Sequence, residues 1–431
     1  MLNSKIASSP EQTAQRFKNG EVHDWYRIIL GYSDHLVGGL MDEFCLGGDD
    51  RVLDPFCGSG TTLVEGMKRG LDVTGIDANP SSCFAATVKT NWTLDADVLW
   101  KQLQPLRANY LRAFDRDDFE DDAFYQYLAD FGYLRRWISI RPARKIVALK
   151  RAIKGLRIGG DYKDALMLAL VAEAVDGSSN VKFGPELYCG KAKRDSAVLT
   201  NLESRVRKMC DDLTLTVGTP YGSARVVLGD ARKCGKYLRK KGQFAALICS
   251  PPYPTEHDYT RNSRIELALL GYVEDRQTVR DIKTQMIRSH TKGVYITDRD
   301  HELVADHRAI QRLASAIDKK AESKTYGFAR LYSRVLCEYF GGLKLHFKAI
   351  LPLMAPGAMC AYVVGDQSSY LQVHVPTATL LASLAVECGF EHIETRHWRH
   401  RWSTTMSRHI SENILLLRVP KADKKLVRTH K

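Results

Sequence analysis

Ten cysteines are scattered from Cys45 to Cys388, and no two of them form a C-x-x-C pair. Structural zinc sites place their ligands in close pairs, and disulfide frameworks belong to small secreted chains, so neither is expected. Reduced, mostly buried thiols in a cytoplasm account better for this pattern. The opening residues, MLNSKIASSPEQTAQRFKNG, are polar and carry no apolar h-region, which argues against a signal peptide. No stretch approaches the roughly 20 apolar residues needed to span a bilayer. A cytoplasmic protein with no membrane attachment and no metal is therefore expected. Internal repeats and low-complexity tracts are also lacking.

Acidic residues are in the minority, 50 against 63 Lys and Arg, for a net charge of +13. Such an excess favours a polyanionic partner, nucleic acid before membrane, because phosphate neutralisation releases counterions. A soluble protein that is simply basic has the same composition. Hydrophobic residues make up 44% of the 431, ample for a large core. That length suits a catalytic core with one or two insertions.

The pattern predicts six segments: a cofactor-side part of the core (1–95), a helical insertion (96–204), core again (205–273), a charged helical insertion (274–330), the end of the core (331–420) and a basic tail (421–431). From His23 to Phe44 the periodicity is helical. Strands are expected at Arg51–Leu53, Asp72–Ile76, Ala224–Leu228, Ala245–Cys249, Ala358–Val364, Glu391–Thr395 and Asn413–Val419. Helices are expected over Thr61–Arg69, after Asn79-Pro80, over Leu331–Leu353 and over Thr377–Cys388, and Gly177–Lys193 reads as a loop. Strand and helix alternate at the spacing of a parallel sheet.

The block VLDPFCGSGTTLVEGMKRGLDVTGIDANP carries the first chemistry. A glycine loop at the carboxyl end of a strand is where open α/β sheets bind ligands. A dinucleotide fingerprint needs a third glycine where Leu63 stands, and a P-loop needs a lysine that is missing. Asp54, expected at the mouth of the loop, would repel phosphate. It suits instead a cofactor with an ammonium and a sulfonium, as S-adenosylmethionine has. Asp77, ending the next strand, is placed to accept from ribose hydroxyls. A bare strand-to-helix turn at Gly58 and Gly60 is the bland alternative.

DPFCGSGTT resembles the cofactor loop of the DNA amino-methyltransferase family, D-P-F-x-G-S/T-G-T-T. The resemblance covers roughly 23–95, 224–273 and 331–419. It implies a Rossmann-like α/β methyltransferase fold, with a mixed, mostly parallel seven-stranded sheet and helical insertions, and S-adenosyl-L-methionine as cofactor. It also implies that Asp54, Pro55, Phe56, Cys57, Gly58, Gly60 and Thr61 border the cofactor. Asp77 and Ala78 would lie at its ribose, Asp230 and Ala231 near its adenine, and Ser250 beside it. The segment around His23–Val37 sits where some members carry a further cofactor motif.

Ser250-Pro251-Pro252-Tyr253 follows the apolar run AALIC. Two prolines cannot continue a sheet, so they form a stiff turn presenting a hydroxyl, a carbonyl and an aromatic ring. An exocyclic amine is a poor nucleophile. Acceptors at Ser250 Oγ and the Pro251 carbonyl can bind its two hydrogens and favour a pyramidal nitrogen. Tyr253 can stack on a base swung out of the duplex. A rigid turn with Tyr253 as a packed lid is the alternative. The turn resembles the S/D/N-P-P-Y/F/W catalytic motif of amino-methyltransferases, in which Ser mainly accompanies cytosine N4 methylation.

Double-stranded DNA is the expected partner. Candidate contacts are Arg135, Arg136, Arg141, Arg144, Lys145, Lys150, Arg151 and Lys154, with the Gly177–Lys193 loop. A second group comprises Arg280, Lys283, Arg288, His290, Lys292 and Arg299, and a third is the run Arg396–Trp402. Solvated faces are the ordinary meaning of such runs. Arg261, Arg264 and Glu266 suit nucleotide contact or a structural ion network equally. Adenine N6 methylation, RNA base methylation and a silent DNA-binding homologue are the competing readings. No motif indicates a cognate restriction nuclease.

Overall fold

A computed structural model describes residues 22–26, 31–183, 187–238, 240–324, 327–403 and 408–421. In chain order the strands are β1 (Arg51–Asp54), β2 (Asp72–Asp77), β3 (Val181–Phe183), β4 (Leu187–Cys189), β5 (Ala224–Leu228), β6 (Phe244–Cys249), β7 (Met354–Gly365), β8 (Glu391–Ser403) and β9 (Arg408–Arg418). Seven of them form one sheet in the order β5-β2-β1-β6-β7-β9-β8. Neighbours are parallel from β5 to β7, and β9 runs antiparallel to both β7 and β8. This is the mixed, mostly parallel seven-stranded sheet of the Rossmann-like methyltransferase fold.

The chain winds to one side through β1, β2 and β5, then returns to place β6 against the other side of β1. Val52 pairs with Ala246 and Leu53 with Leu247. A crevice opens at the carboxyl ends of the two strands where winding reverses. Both strands are short and apolar because each is covered on both faces; Val52, Leu53, Ala246, Leu247 and Ile248 are fully buried.

Local chemistry fixes the loops around that crevice. Gly60 caps the helix Thr61–Lys68 with φ of 88°, a left-handed conformation that favours glycine. At Gly75 a Cβ would sit 2.8 Å from Cys57 and 2.9 Å from Leu63, so only glycine lets the loop lie on β2. Asn79 caps the helix Pro80–Lys89 by accepting from the Ser81 N–H, with Pro80 in the first turn.

The helices of 96–216 form one apolar cluster with Pro80–Lys89 and Arg264–Leu270. A second cluster joins Tyr332–Ile350 and Thr377–Glu387 to the sheet, and a third lies under Asp34–Glu43. Among the described residues no helix is long and apolar enough to cross a membrane.

Several expectations change. His23–Phe44 is not one helix: a 3-10 turn covers His23–Trp25 and the helix is Asp34–Glu43. Tyr26, Gly31 and Tyr32 instead line a cavity, and Ile28 and Ile29 lie outside the described residues. Gly177–Lys193 begins in the last two residues of a π-helical turn, Glu173–Ser178, and contains the β3–β4 hairpin, whose pairing alternation cannot reveal in strands of three residues. β8 runs to Ser403, eight residues beyond the expected end, because β9 pairs with it as far as Ser403 opposite Arg408. The N-terminal twenty residues and the tail from 422 lie outside the described residues.

Candidate active site

A cavity of about 570 Å³ opens at the carboxyl edge of β1, β2 and β6. Pro55, Phe56, Cys57, Gly58 and Thr61 line it from the glycine loop. Asp77 and Ala78 line it from the end of β2, and Ala231 from the turn after β5. Ser250, Pro251, Pro252 and Tyr253 line it from the end of β6. The two predicted loops, far apart in sequence, share one pocket.

Asp77 holds the loop as well as facing the cavity. Its carboxylate accepts from the Gly58 N–H at 2.9 Å and the Asn79 N–H at 2.8 Å. Burial raises its carboxyl pKa against the pull of these backbone donors. The Cys57 N–H also donates to the Ile76 carbonyl at 3.0 Å, fixing the loop to β2.

Asp54 is not at the mouth of the loop. It is fully buried beneath it, accepting from Thr62 Oγ1 at 2.6 Å, Tyr32 OH at 3.0 Å and the Phe56 N–H at 3.0 Å. Burial pushes its pKa up to about 7, opposed by these three donors. Gly60 is likewise absent from the lining, turned toward Ala86 in the helix Pro80–Lys89.

Asp230 also turns away. It caps the turn Ala231–Lys233 and pairs with Arg232, which reaches Asp300 at 2.6 Å. Its neighbour Ala231 is the residue that faces the cavity. Buried His346 bonds the Ala231 carbonyl and Tyr362 OH, both at 3.0 Å, with its ring 5.0 Å from that of Phe56.

In the S-P-P-Y turn, Ser250 donates its hydroxyl proton to the Val363 carbonyl of β7 at 3.1 Å. That bond leaves the Oγ lone pairs as acceptors. The Tyr253 hydroxyl donates to Glu412 of β9 at 2.8 Å, and the Tyr253 N–H donates to Tyr259 OH at 3.2 Å. Glu412, only 4% exposed, also pairs with Arg399 of β8. Arg399 lies over the buried Trp398 ring at 4.2 Å. Glu412 and Arg399 both line the cavity.

Sequence reasoning missed Glu412. Its only signal is a lone acid two residues before the apolar strand run ILLL. Gln285 to His290, of which only Arg288 and His290 were singled out and then as DNA contacts, also line the pocket, with the Glu256 N–H donating to the Ser289 carbonyl at 3.1 Å. Among the described residues three Lys and Arg side chains line this cavity, and each is paired: Lys283 with Asp258, Arg288 with Asp298 and Arg399 with Glu412. A cavity whose cations are matched while Asp77 and Glu266 face it suits a cationic nucleoside better than a phosphorylated one. The residues present therefore fit S-adenosylmethionine.

The basic runs divide on inspection. Lys150 is buried against Asp122, Arg141 and Lys145 share Asp195, and Arg144 and Arg151 reach Asp117 and Asp118. Arg135, Arg136, Lys154, Arg280, Lys292 and Arg299 are exposed. In the third run Arg396 pairs with Glu43, and the side chains of Arg401 and Trp402 lie outside those described. Arg264 bonds Thr260 and Tyr127 rather than Glu266, so the ion network that was one of the two readings for this cluster does not link these two residues. His23, Asp34 and Glu65 bring ligand-type atoms within 4.8 Å of one another, but Glu65 is already bound by Lys68 and Arg69.

The fold, the glycine loop with its acid on β2 and the prolyl turn on β6 together define an S-adenosylmethionine-dependent methyltransferase. No protein-family model matches the chain. It is 25% identical over 424 residues to the Type II methyltransferase M.BsoBI of Geobacillus stearothermophilus, covering 88% of this chain and 81% of that protein. It is 24% identical over 414 residues to the Type II methyltransferase M.AvaI of Anabaena variabilis, covering 90% and 82%. A shorter stretch of 132 residues, 31% of this chain and 28% of the relative, is 52% identical to the Type II methyltransferase M.MvaI of Kocuria varians. These similarities support the general amino-methyltransferase family.

Proposed function

We propose that this protein methylates an exocyclic amino group of a base in double-stranded DNA, with cytosine N4 the favoured target. The observation that carries this reading is the Ser250 hydroxyl. With its proton committed to the Val363 carbonyl, Oγ stands in the shared cavity as an acceptor. An amino group bonded by Ser250 Oγ and the Pro251 carbonyl has both hydrogens held on one side, which orients its lone pair. The Tyr253 ring, anchored through its hydroxyl to Glu412, offers an apolar face against which a flipped base can stack.

S-adenosylmethionine supplies the methyl group when bound. Asp77 would hold its ribose, the loop Pro55–Gly58 its methionine portion and Ala231 its adenine. Asp54 serves this arrangement from below, tying the loop to Tyr32 and Thr62. A DNA substrate is supported by the family resemblance of both motifs, by similarity to Type II methyltransferases and by the net charge of +13. Ser at position 250 supports cytosine over adenine.

The test is incubation with labelled cofactor and either duplex DNA or tRNA, then digestion to nucleosides and mass identification. N4-methylcytosine from DNA is expected. N6-methyladenine would keep the class and change the base. Label entering only tRNA would remove DNA as substrate.

A further inference from the structure

Glu266 is the most conspicuous group that the proposed function leaves unused. It sits in the helix Arg264–Leu270, 3% exposed, and is one of the residues lining the cavity. Oε1 accepts from the Tyr26 hydroxyl at 2.8 Å, while Oε2 is buried with no hydrogen-bond partner. No cation pairs with it among the described residues. Its chain neighbour Arg264 is spent on Thr260 and Tyr127. Burial pushes the Glu266 carboxyl up to about 7, opposed by the Tyr26 bond. A buried carboxyl oxygen without a partner is costly, and a bound ligand that supplies the missing donor would offset that cost.

The position says where that partner lies. Ser263, at the head of the same helix, accepts from Asn79 Nδ2 at 2.9 Å, and the Asn79 N–H donates to Asp77 at 2.8 Å. Asp77, Asn79, Ser263 and Glu266 all line the cavity. Glu266 therefore belongs to the wall that carries the acid at the end of β2.

We propose that Glu266 Oε2 is a second acidic ligand of the nucleoside cofactor, accepting a hydrogen bond from one of its hydroxyls or from its ammonium. The inference rests on the cofactor reading given above. Tyr26 then acts as a positioning residue, turning the second oxygen toward the ligand, which explains why a tyrosine from the segment before the glycine loop is buried there. Glu266→Gln keeps the size and the Tyr26 contact but turns an acceptor into a donor.

The experiment is calorimetric titration of the full chain with S-adenosylhomocysteine and, separately, with 5′-methylthioadenosine, which has the ribose but no ammonium. Glu266→Gln is expected to weaken S-adenosylhomocysteine binding about tenfold or more, with an unchanged or raised melting temperature. An equal loss for methylthioadenosine assigns the donor to a ribose hydroxyl, and a loss confined to S-adenosylhomocysteine assigns it to the ammonium. Glu266→Asp, which keeps the charge and withdraws it by one methylene, should show the same loss and serves if the first variant fails to fold. Affinity within twofold of wild type in a folded variant overturns the inference alone. Failure of the wild-type protein to bind S-adenosylhomocysteine overturns the cofactor reading as well.

Discussion

The floor and the roof of the cavity are built in opposite ways. On the floor, the glycine loop is fixed by backbone N–H groups that donate to two carboxylates: Phe56 N–H to Asp54, and Gly58 N–H and Asn79 N–H to Asp77. Over the roof, residues 253–293 are fixed by one backbone bond, Glu256 N–H to the Ser289 carbonyl, and otherwise by side chains that meet from separate elements. Lys283 meets Asp258, Glu256 meets Thr291, and Tyr370 reaches the Ser289 carbonyl at 3.3 Å. Backbone bonding over a short span demands particular residues at particular spacings and so leaves a motif. Side-chain bonding between distant segments admits many equivalent pairs and leaves none.

That contrast can be broken most sharply at Ser250. Ser250→Ala is expected to cut single-turnover methyl transfer by about 10²–10³-fold, the scale of removing one aligned polar group from a reacting centre. Cofactor affinity should stay within a few-fold, since the floor is untouched. Transfer at the wild-type rate would show that the turn is only a rigid connection.

On the floor itself, Asp77→Ala should weaken S-adenosylhomocysteine binding by about 10- to 100-fold, as expected for losing hydrogen bonds to a charged acceptor. The variant also strips the Gly58 and Asn79 N–H groups of their acceptor, so a modest fall in melting temperature should accompany the loss. Unchanged binding would mean that the acid serves the loop alone.

Asp54 sharpens the comparison through pH. Its folded-state pKa of about 7 lies above the ordinary aspartate value because burial disfavours the charge. Stability from the protonated group is complete below the unfolded-state value and is lost as pH rises through about 7. Melting temperature should therefore fall more steeply from pH 5 to 8 in the wild type than in Asp54→Asn. Parallel curves would show that the three donors keep the carboxylate ionised throughout.

The smallest effect is expected outside the cavity. Exposed Arg135 and Arg136 have no carboxylate partner among the salt bridges of the described residues, unlike Arg141 and Lys145, which share Asp195. If the helical insertion lies along duplex DNA, Arg135→Ala should lower the slope of log affinity against log salt by about one. A slope equal to wild type would move DNA contact to the Arg280–Arg299 face.

Much was legible before any coordinates. Helix starts at Thr61 and after Asn79-Pro80 follow from glycine and capping chemistry, and strands at 51, 72, 224 and, one residue late, 245 from short apolar runs ending in polar loops. Asp54 was misplaced because its position at the end of a strand does not say which way the carboxylate points. Tyr32 and Thr62 captured it from below. Asp230 was taken the same way by Arg232. Glu412, between Ser411 and Asn413, carries no pattern, and Glu266 was singled out only together with Arg261 and Arg264.

The sequence by itself determined the two loops, because steric limits on glycine and proline and the reach of a carboxylate to nearby N–H groups act over a few residues. Only the tertiary structure decided that β6 lies beside β1, which buried acids open into the space between them and which basic residues remain unpaired. Those outcomes depend on strand pairing and desolvation, which are set by how separate segments pack and not by any local spacing.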